Sequence, residues 1–156
     1  MIDSLAYSVN VVAVQVLIDV GFEPVIKLAK DMGIKSEVKA TYSLALGSWE
    51  VNLLELTNAY ATFAAQGKYI PAYGIKKVIN QNGEVIYEGN FKSKQVLDKD
   101  SAAIVTWMLE NVVKYGSGAN AYLYDRPVAG KTGTSEEARD LWFIGYIPQV
   151  ATGIWF

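Results

Sequence analysis

Apolar residues recur at helical spacing in several stretches of the first three quarters of the chain and gather into short apolar runs near its end. Leu5-Ala6-Tyr7 reads as the end of a helix, and Ser8-Val9-Asn10 as a turn. Val11 to Val20 is apolar enough for a buried helix stopped by Gly21, although its β-branched residues also suit a strand. Pro24 fits the first position of a further helix, with Val25, Ile26, Leu28, Ala29 and Met32 on one face and Gly33 at the end. Asn52 is a candidate cap with Glu55 three residues on, the spacing of a capping box. Leu53, Leu56, Ala59, Tyr60, Phe63 and Ala64 follow at helical spacing, and Gly67 closes the run. Ile75 to Ile79 and Glu84 to Tyr87 predict two strands around a turn at Asn82-Gly83. Asp98 opens a helix carrying Ile104, Val105, Trp107, Met108 and Val112, ended by Gly116; residues 116–125 form a loop. The last part predicts three strands, Val128 to Thr134, Leu141 to Ile147 and Val150 to Phe156. Helices followed by an antiparallel sheet place the fold in the α+β or mixed α/β class.

Length and composition narrow the chemistry. The 156 residues fit one domain or a large piece of one, and 51% are apolar. The net charge of −2, with acids and bases interspersed, offers no basic patch, so nucleic-acid binding is not expected. The apolar run from Val11 to Ile18 is interrupted by Gln15 and stopped by Asp19, too short to span a bilayer. The first basic residue is Lys27, so no signal-peptide charge precedes it. Cysteine and histidine are absent, which excludes cysteine nucleophiles, Cys/His zinc sites, disulfides and a Ser-His-Asp triad. No metal or cofactor is implied. Proton transfer must run through lysine, carboxylates, tyrosine or a relayed hydroxyl.

Lys131-Thr132-Gly133-Thr134 is the segment richest in candidate chemistry. Strand alternation puts Thr132 and Thr134 on one face, where both hydroxyls can donate to a carboxylate. Gly133 lets another backbone lie alongside, so an extended peptide could pair with this strand. Lys131 points to the other face, but its long stem can carry positive charge round to an anionic guest. Taken alone, these four residues read better as the polar end of an edge strand with a solvated lysine. A phosphate-binding loop fails, because Asp125 stands where its first glycine belongs and a strand rather than a helix follows. Ser8 and Asn10 on their own could be a helix-capping turn; their weight comes from occurring with the Lys-Thr-Gly strand. Ser36-Glu37-Val38-Lys39 has the letters of a Ser-x-x-Lys nucleophile. It is followed by the polar, mixed Ala40-Thr41-Tyr42-Ser43 and lies after Ser8, so it reads as solvated loop.

A Ser-x-Asn turn and a Lys-Thr-Gly strand in this order resemble the active-site serine penicillin-binding proteins and β-lactamases. The resemblance extends over Leu5 to Asn10, Ser43 to Ser48, Glu55 to Ala64, Val128 to Thr134 and Arg139 to Tyr146, which are similar to the transpeptidase domain of bifunctional, class A penicillin-binding proteins. It implies a peptidoglycan D,D-transpeptidase that cross-links stem peptides ending in D-Ala-D-Ala through a serine acyl-enzyme, and that β-lactams inhibit as donor mimics. It implies catalytic roles for Ser8, Asn10 and Lys131. Ser8 would relay a proton to the leaving nitrogen with help from Lys131, and Asn10 would hydrogen-bond the donor peptide. Thr132, Gly133 and Thr134 would bind substrate, the threonines holding its carboxylate and the Thr134 N–H serving the oxyanion. It also implies a membrane-anchored parent acting on the extracytoplasmic face of a bacterial membrane. The family's Ser-x-x-Lys helix should lie several dozen residues before Ser8, so residues 1–156 read as a partial transpeptidase domain without its nucleophile, and as inactive alone. The apolar run ending at Trp155-Phe156 points the same way, to a sheet cut in mid-strand. Two alternatives are a β-lactamase or penicillin-sensor domain, against which Leu44-Ala45-Leu46-Gly47-Ser48 speaks, and a non-catalytic module that binds cell-wall peptides.

Overall fold

The computed structural model describes residues 1–156. Helices α1 (Ile2–Ala6), α2 (Asn10–Val20) and α3 (Phe22–Asp31) open the chain. A 3-10 turn at Tyr42–Leu46 leads to α4 (Leu53–Ala64). Four short strands follow: β1 (Lys68–Tyr69), β2 (Lys77–Ile79), β3 (Val85–Glu88) and β4 (Lys94–Gln95). Helix α5 (Lys99–Lys114) then precedes β5 (Ala129–Thr134), β6 (Leu141–Ile147) and β7 (Val150–Trp155). The last three strands form one antiparallel sheet in the order β5-β6-β7; β2 pairs with β3 and β1 with β4 as separate ribbons. This is the mixed helix and antiparallel-sheet fold read from the sequence.

The two faces of the main sheet differ. Register places Ala129, Lys131 and Gly133 beside Tyr146, Ile144 and Trp142 on one face. Against that face lie α4 and α5. Leu109 and Val112 of α5 close on Ala129 and Tyr146, with Tyr60 and Phe63 of α4 packed around them. Burying side chains of this size stabilises by about 1.5–3 kcal/mol each. A second cluster, Met32, Ile34 and Ala59, also touches Phe63, so that ring joins α3 to the sheet. The Tyr146 hydroxyl finds Thr106 at 2.9 Å, which spares the core an unpaired polar atom. The opposite face carries Thr132 and Thr134 with Phe143 and Leu141 opposite them, and here Leu141, Val150, Ile154 and Phe156 are exposed.

Capping chemistry explains several boundaries. The Asn52 carboxamide oxygen accepts from the Leu54 and Glu55 N–H groups, and the Asp98 carboxylate accepts from the Ser101 N–H. Glu55 does not complete a capping box. Its carboxylate turns away and accepts from Lys35 N–H, Ser36 N–H and the Ser36 hydroxyl, tying the 35–36 loop to α4. The Ser36–Lys39 segment is accordingly loop, as its polar surroundings suggested.

Other expectations are corrected. Pro24 is the third residue of α3, after a cap at Gly21, still within the turn that needs no proline N–H. Helix α2 is a helix but is not buried: only Leu17 is, while Val11, Ile18 and Val20 are exposed. Its apolar residues run right round the cylinder, and packing reaches one stripe of them. Ile104 and Trp107 are likewise exposed, because α5 turns Ala102, Leu109, Val112 and Val113 inward. The β2–β3 hairpin starts at Lys77, not Ile75. Its loop is wider than a two-residue turn: Asn80 accepts from Gly83 N–H through its carbonyl and from Asn82 and Glu84 N–H through its side chain, and Gly83 takes a φ of 82°.

Candidate active site

The site assembles where the turn between α1 and α2 meets β5. Ser8 sits in that turn with a φ of 55°, left-handed for a residue that is not glycine. Such a backbone costs on the order of 1–3 kcal/mol and persists where the surroundings hold it. Here they do. The Ser8 N–H donates to Leu5 O at 3.3 Å and the Val9 N–H to Ser4 O at 2.8 Å. The Ser117 N–H, beyond the end of α5, donates to the carbonyl of fully buried Ala6 at 2.9 Å. Tyr115 reaches Asp3 through its hydroxyl at 3.3 Å and lies against the Tyr7 ring, centroids 6.2 Å apart. These contacts fasten the Ser8 turn to the end of α5, and α5 packs on β5.

Lys131 lies on the helix-covered face of β5, and its ammonium donates to the Ser8 hydroxyl across 123 residues of sequence. A second bond goes to the Thr132 carbonyl at 3.0 Å. No carboxylate pairs with Lys131. Burial without a compensating anion pushes its pKa below the usual lysine value. Asn10 occupies the first position of α2, two residues from Ser8, and is exposed. The turn therefore comprises Tyr7 to Val9, and Asn10 already belongs to the helix.

β5 is one of the two edge strands of the sheet, β7 being the other. The Ser135 N–H donates to Asp140 O at 3.1 Å, so odd-numbered residues of β5 turn their backbone groups toward β6. Thr132 and Thr134 consequently turn theirs to the open edge, as the Lys131 bond to Thr132 O illustrates. Both threonine side chains lie on one face, and Gly133, opposite Trp142, sits between them. An extended chain laid along β5 would meet backbone donors, two hydroxyls and the Lys131 ammonium within one short stretch. The end of β5 is held in shape by Ser135 and Asp140. The Ser135 hydroxyl donates to Asp140 at 2.9 Å, the Asp140 N–H donates back at 2.8 Å, and Trp155 Nε1 donates to the same carboxylate at 3.0 Å.

The structure thus brings Lys131 to Ser8 and places Thr132, Gly133 and Thr134 on the adjoining strand edge. It adds one residue that the sequence reading passed over: Ser117, whose hydroxyl is 2.7 Å from that of Thr132. Periodicity carries no information in a loop. The only local signal is a hydroxyl between two glycines just past a helix end.

Residues 1–156 match the family described as the penicillin-binding protein transpeptidase domain. The chain belongs to that family. It is 43% identical over 152 residues to penicillin-binding protein 1A of Aquifex aeolicus, covering 97% of this chain and 21% of that protein. It is 34% identical over 165 residues to penicillin-binding protein 2D of Bacillus subtilis, covering 99% of this chain and 23% of that protein. Among solved structures, the penicillin-binding protein PonA1 from Mycobacterium tuberculosis superposes with a TM-score of 0.88 at 26% identity, over 99% of this chain and 47% of that one. The chain therefore spans about a fifth of the length of these curated relatives. No helix of residues 1–156 is long and apolar enough to cross a membrane.

Proposed function

We propose that residues 1–156 form the substrate-holding half of a peptidoglycan D,D-transpeptidase site, one that cross-links stem peptides through a serine acyl-enzyme and takes β-lactams as donor mimics. The observation that carries this reading is the bond from Lys131 to Ser8, which joins two widely separated segments beside a strand edge rich in donors. The stem peptide's terminal carboxylate sits against the Thr132 and Thr134 hydroxyls, and the donor backbone runs along the free edge of β5. The Thr134 N–H, facing that edge, supports the oxyanion; one such donor contributes about 3 kcal/mol to the transition state. With its oxygen held by Lys131, the Ser8 hydroxyl keeps its own proton available for the departing D-alanine nitrogen. Asn10, close by on α2, bonds the donor's peptide group.

The acylating serine belongs to a part of the domain outside these residues, since the Ser-x-x-Lys letters at Ser36–Lys39 fall in a loop. Losing a catalytic serine costs on the order of a millionfold in rate, so this chain binds donor peptide and does not turn it over. The parent protein works on the extracytoplasmic face of a bacterial membrane, to which it is anchored. Two measurements on the purified chain test the reading. A peptide ending in D-Ala-D-Ala binds reversibly, and a fluorescent penicillin attaches no covalent label. Stoichiometric labelling would refute the location of the nucleophile, and absence of peptide binding would refute the carboxylate site.

A further inference from the structure

Ser117 lies between the two lips of the site. Its N–H donates to Ala6 O at 2.9 Å, in the segment that carries Ser8, and its hydroxyl meets the Thr132 hydroxyl at 2.7 Å. Space for that geometry depends on Gly116, where a Cβ would strike the Ala6 carbonyl. Ser117 itself is exposed, and its hydroxyl makes no other bond.

A hydroxyl has one proton and two acceptor sites. When Ser117 donates to Thr132, the Thr132 proton is free to point at a guest. When the direction reverses, that proton is spent on Ser117 and Thr132 offers the guest only lone pairs. An anionic carboxylate selects the first arrangement, and the resulting chain, Ser117 to Thr132 to carboxylate, is polarised in one direction.

We infer that Ser117 is a positioning residue for carboxylate recognition: it fixes the Thr132 side chain and, by donating to it, aims the Thr132 proton at the terminal carboxylate of the peptide. This rests on the carboxylate site proposed above. Ser117 does not touch the carboxylate; it acts through Thr132.

The test uses the whole chain as wild type, Ser117→Ala and Ser117→Thr, with two readouts. The first needs no ligand: the three-bond NMR couplings that report the Thr132 rotamer. Wild type and Ser117→Thr should show one ordered rotamer, and Ser117→Ala an averaged one. The second is affinity for a D-Ala-D-Ala peptide and for the same peptide as its C-terminal amide. Ser117→Ala should weaken the carboxylate peptide about tenfold, the loss of one hydrogen bond in a charged chain, and change the amide less than about twofold. Ser117→Thr should restore the wild-type preference. Unchanged Thr132 couplings in Ser117→Ala overturn the inference, as does equal weakening of both peptides. Should wild type bind neither peptide, the carboxylate site fails as a reading. The couplings then decide on their own whether Ser117 positions Thr132: averaging supports it and retained order refutes it.

Discussion

The two faces of the β5-β6-β7 sheet are built from alternate residues of the same strands and do different work. On the covered face Ala129, Ile144 and Tyr146 are buried beneath α4 and α5, with Lys131 half-buried among them. On the other, Thr132 and Thr134 stand beside exposed Leu141, Val150, Ile154 and Phe156. One face holds the fold together and brings a charge in from behind; the other presents hydroxyls. Under the proposed function, a strand of period two would serve stability and recognition at once, with the Lys131 stem joining the two faces.

Substitutions that separate the two faces should separate stability from binding. The largest stability effect belongs to the covered face. Leu109→Ala removes a side chain closed on Ala129 and Tyr146, and should cost about 2–5 kcal/mol in chemical denaturation. On the open face, Thr132→Val should leave the denaturation midpoint nearly unmoved and weaken D-Ala-D-Ala peptide binding about tenfold by calorimetry, about 1.4 kcal/mol. Tyr146→Phe deletes the bond to Thr106 and leaves the ring in place, so about 1 kcal/mol of stability should go, without change in peptide affinity. Ile154→Thr on the open face should shift stability by about 0.5 kcal/mol or less and reduce self-association in sedimentation, since it breaks an exposed apolar patch.

The pH dependence of Lys131 sharpens the same contrast. Its folded-state pKa lies below the unfolded one because burial penalises the ammonium. The penalty on folding is complete at pH values below the folded pKa and disappears as pH climbs past the unfolded one, so stability should rise across that alkaline window. Peptide affinity should move oppositely, falling as the charge that attracts the carboxylate is lost. Lys131→Met should flatten both profiles, measured by denaturation and by peptide titration. The covered Tyr60 and Tyr146, each pushed up to about 12 by burial, lower stability as pH rises above the ordinary tyrosine pKa of about 10, so the Lys131 contribution is read as the difference between wild type and Lys131→Met.

Much of this was legible in the sequence. The three closing strands, the Asn52 and Asp98 caps and the α4 stripe follow from short apolar runs, helical period and capping chemistry, which are local. The Lys-Thr-Gly edge was legible because alternation fixes which side chains share a face. What escaped depended on long-range packing. Val11, Ile18 and Val20 look like core by composition, but no element covers them in these residues. Glu55 sits at capping-box spacing, yet two amides from the 35–36 loop and a serine hydroxyl compete better for its carboxylate. Ser117 gains its place only because α1 and α5 meet, and nothing within its own loop announces that.

The most direct check is a titration of the isotope-labelled chain with a D-Ala-D-Ala peptide, followed through backbone amide shifts. The largest shifts should fall on Ser8, Ser117, Thr132 and Thr134, converging on one binding curve. Shifts confined to the apolar hollow lined by Tyr73, Ile75, Val78, Tyr87 and Phe91 at the β2–β3 hairpin, or no shifts at saturating peptide, would contradict it.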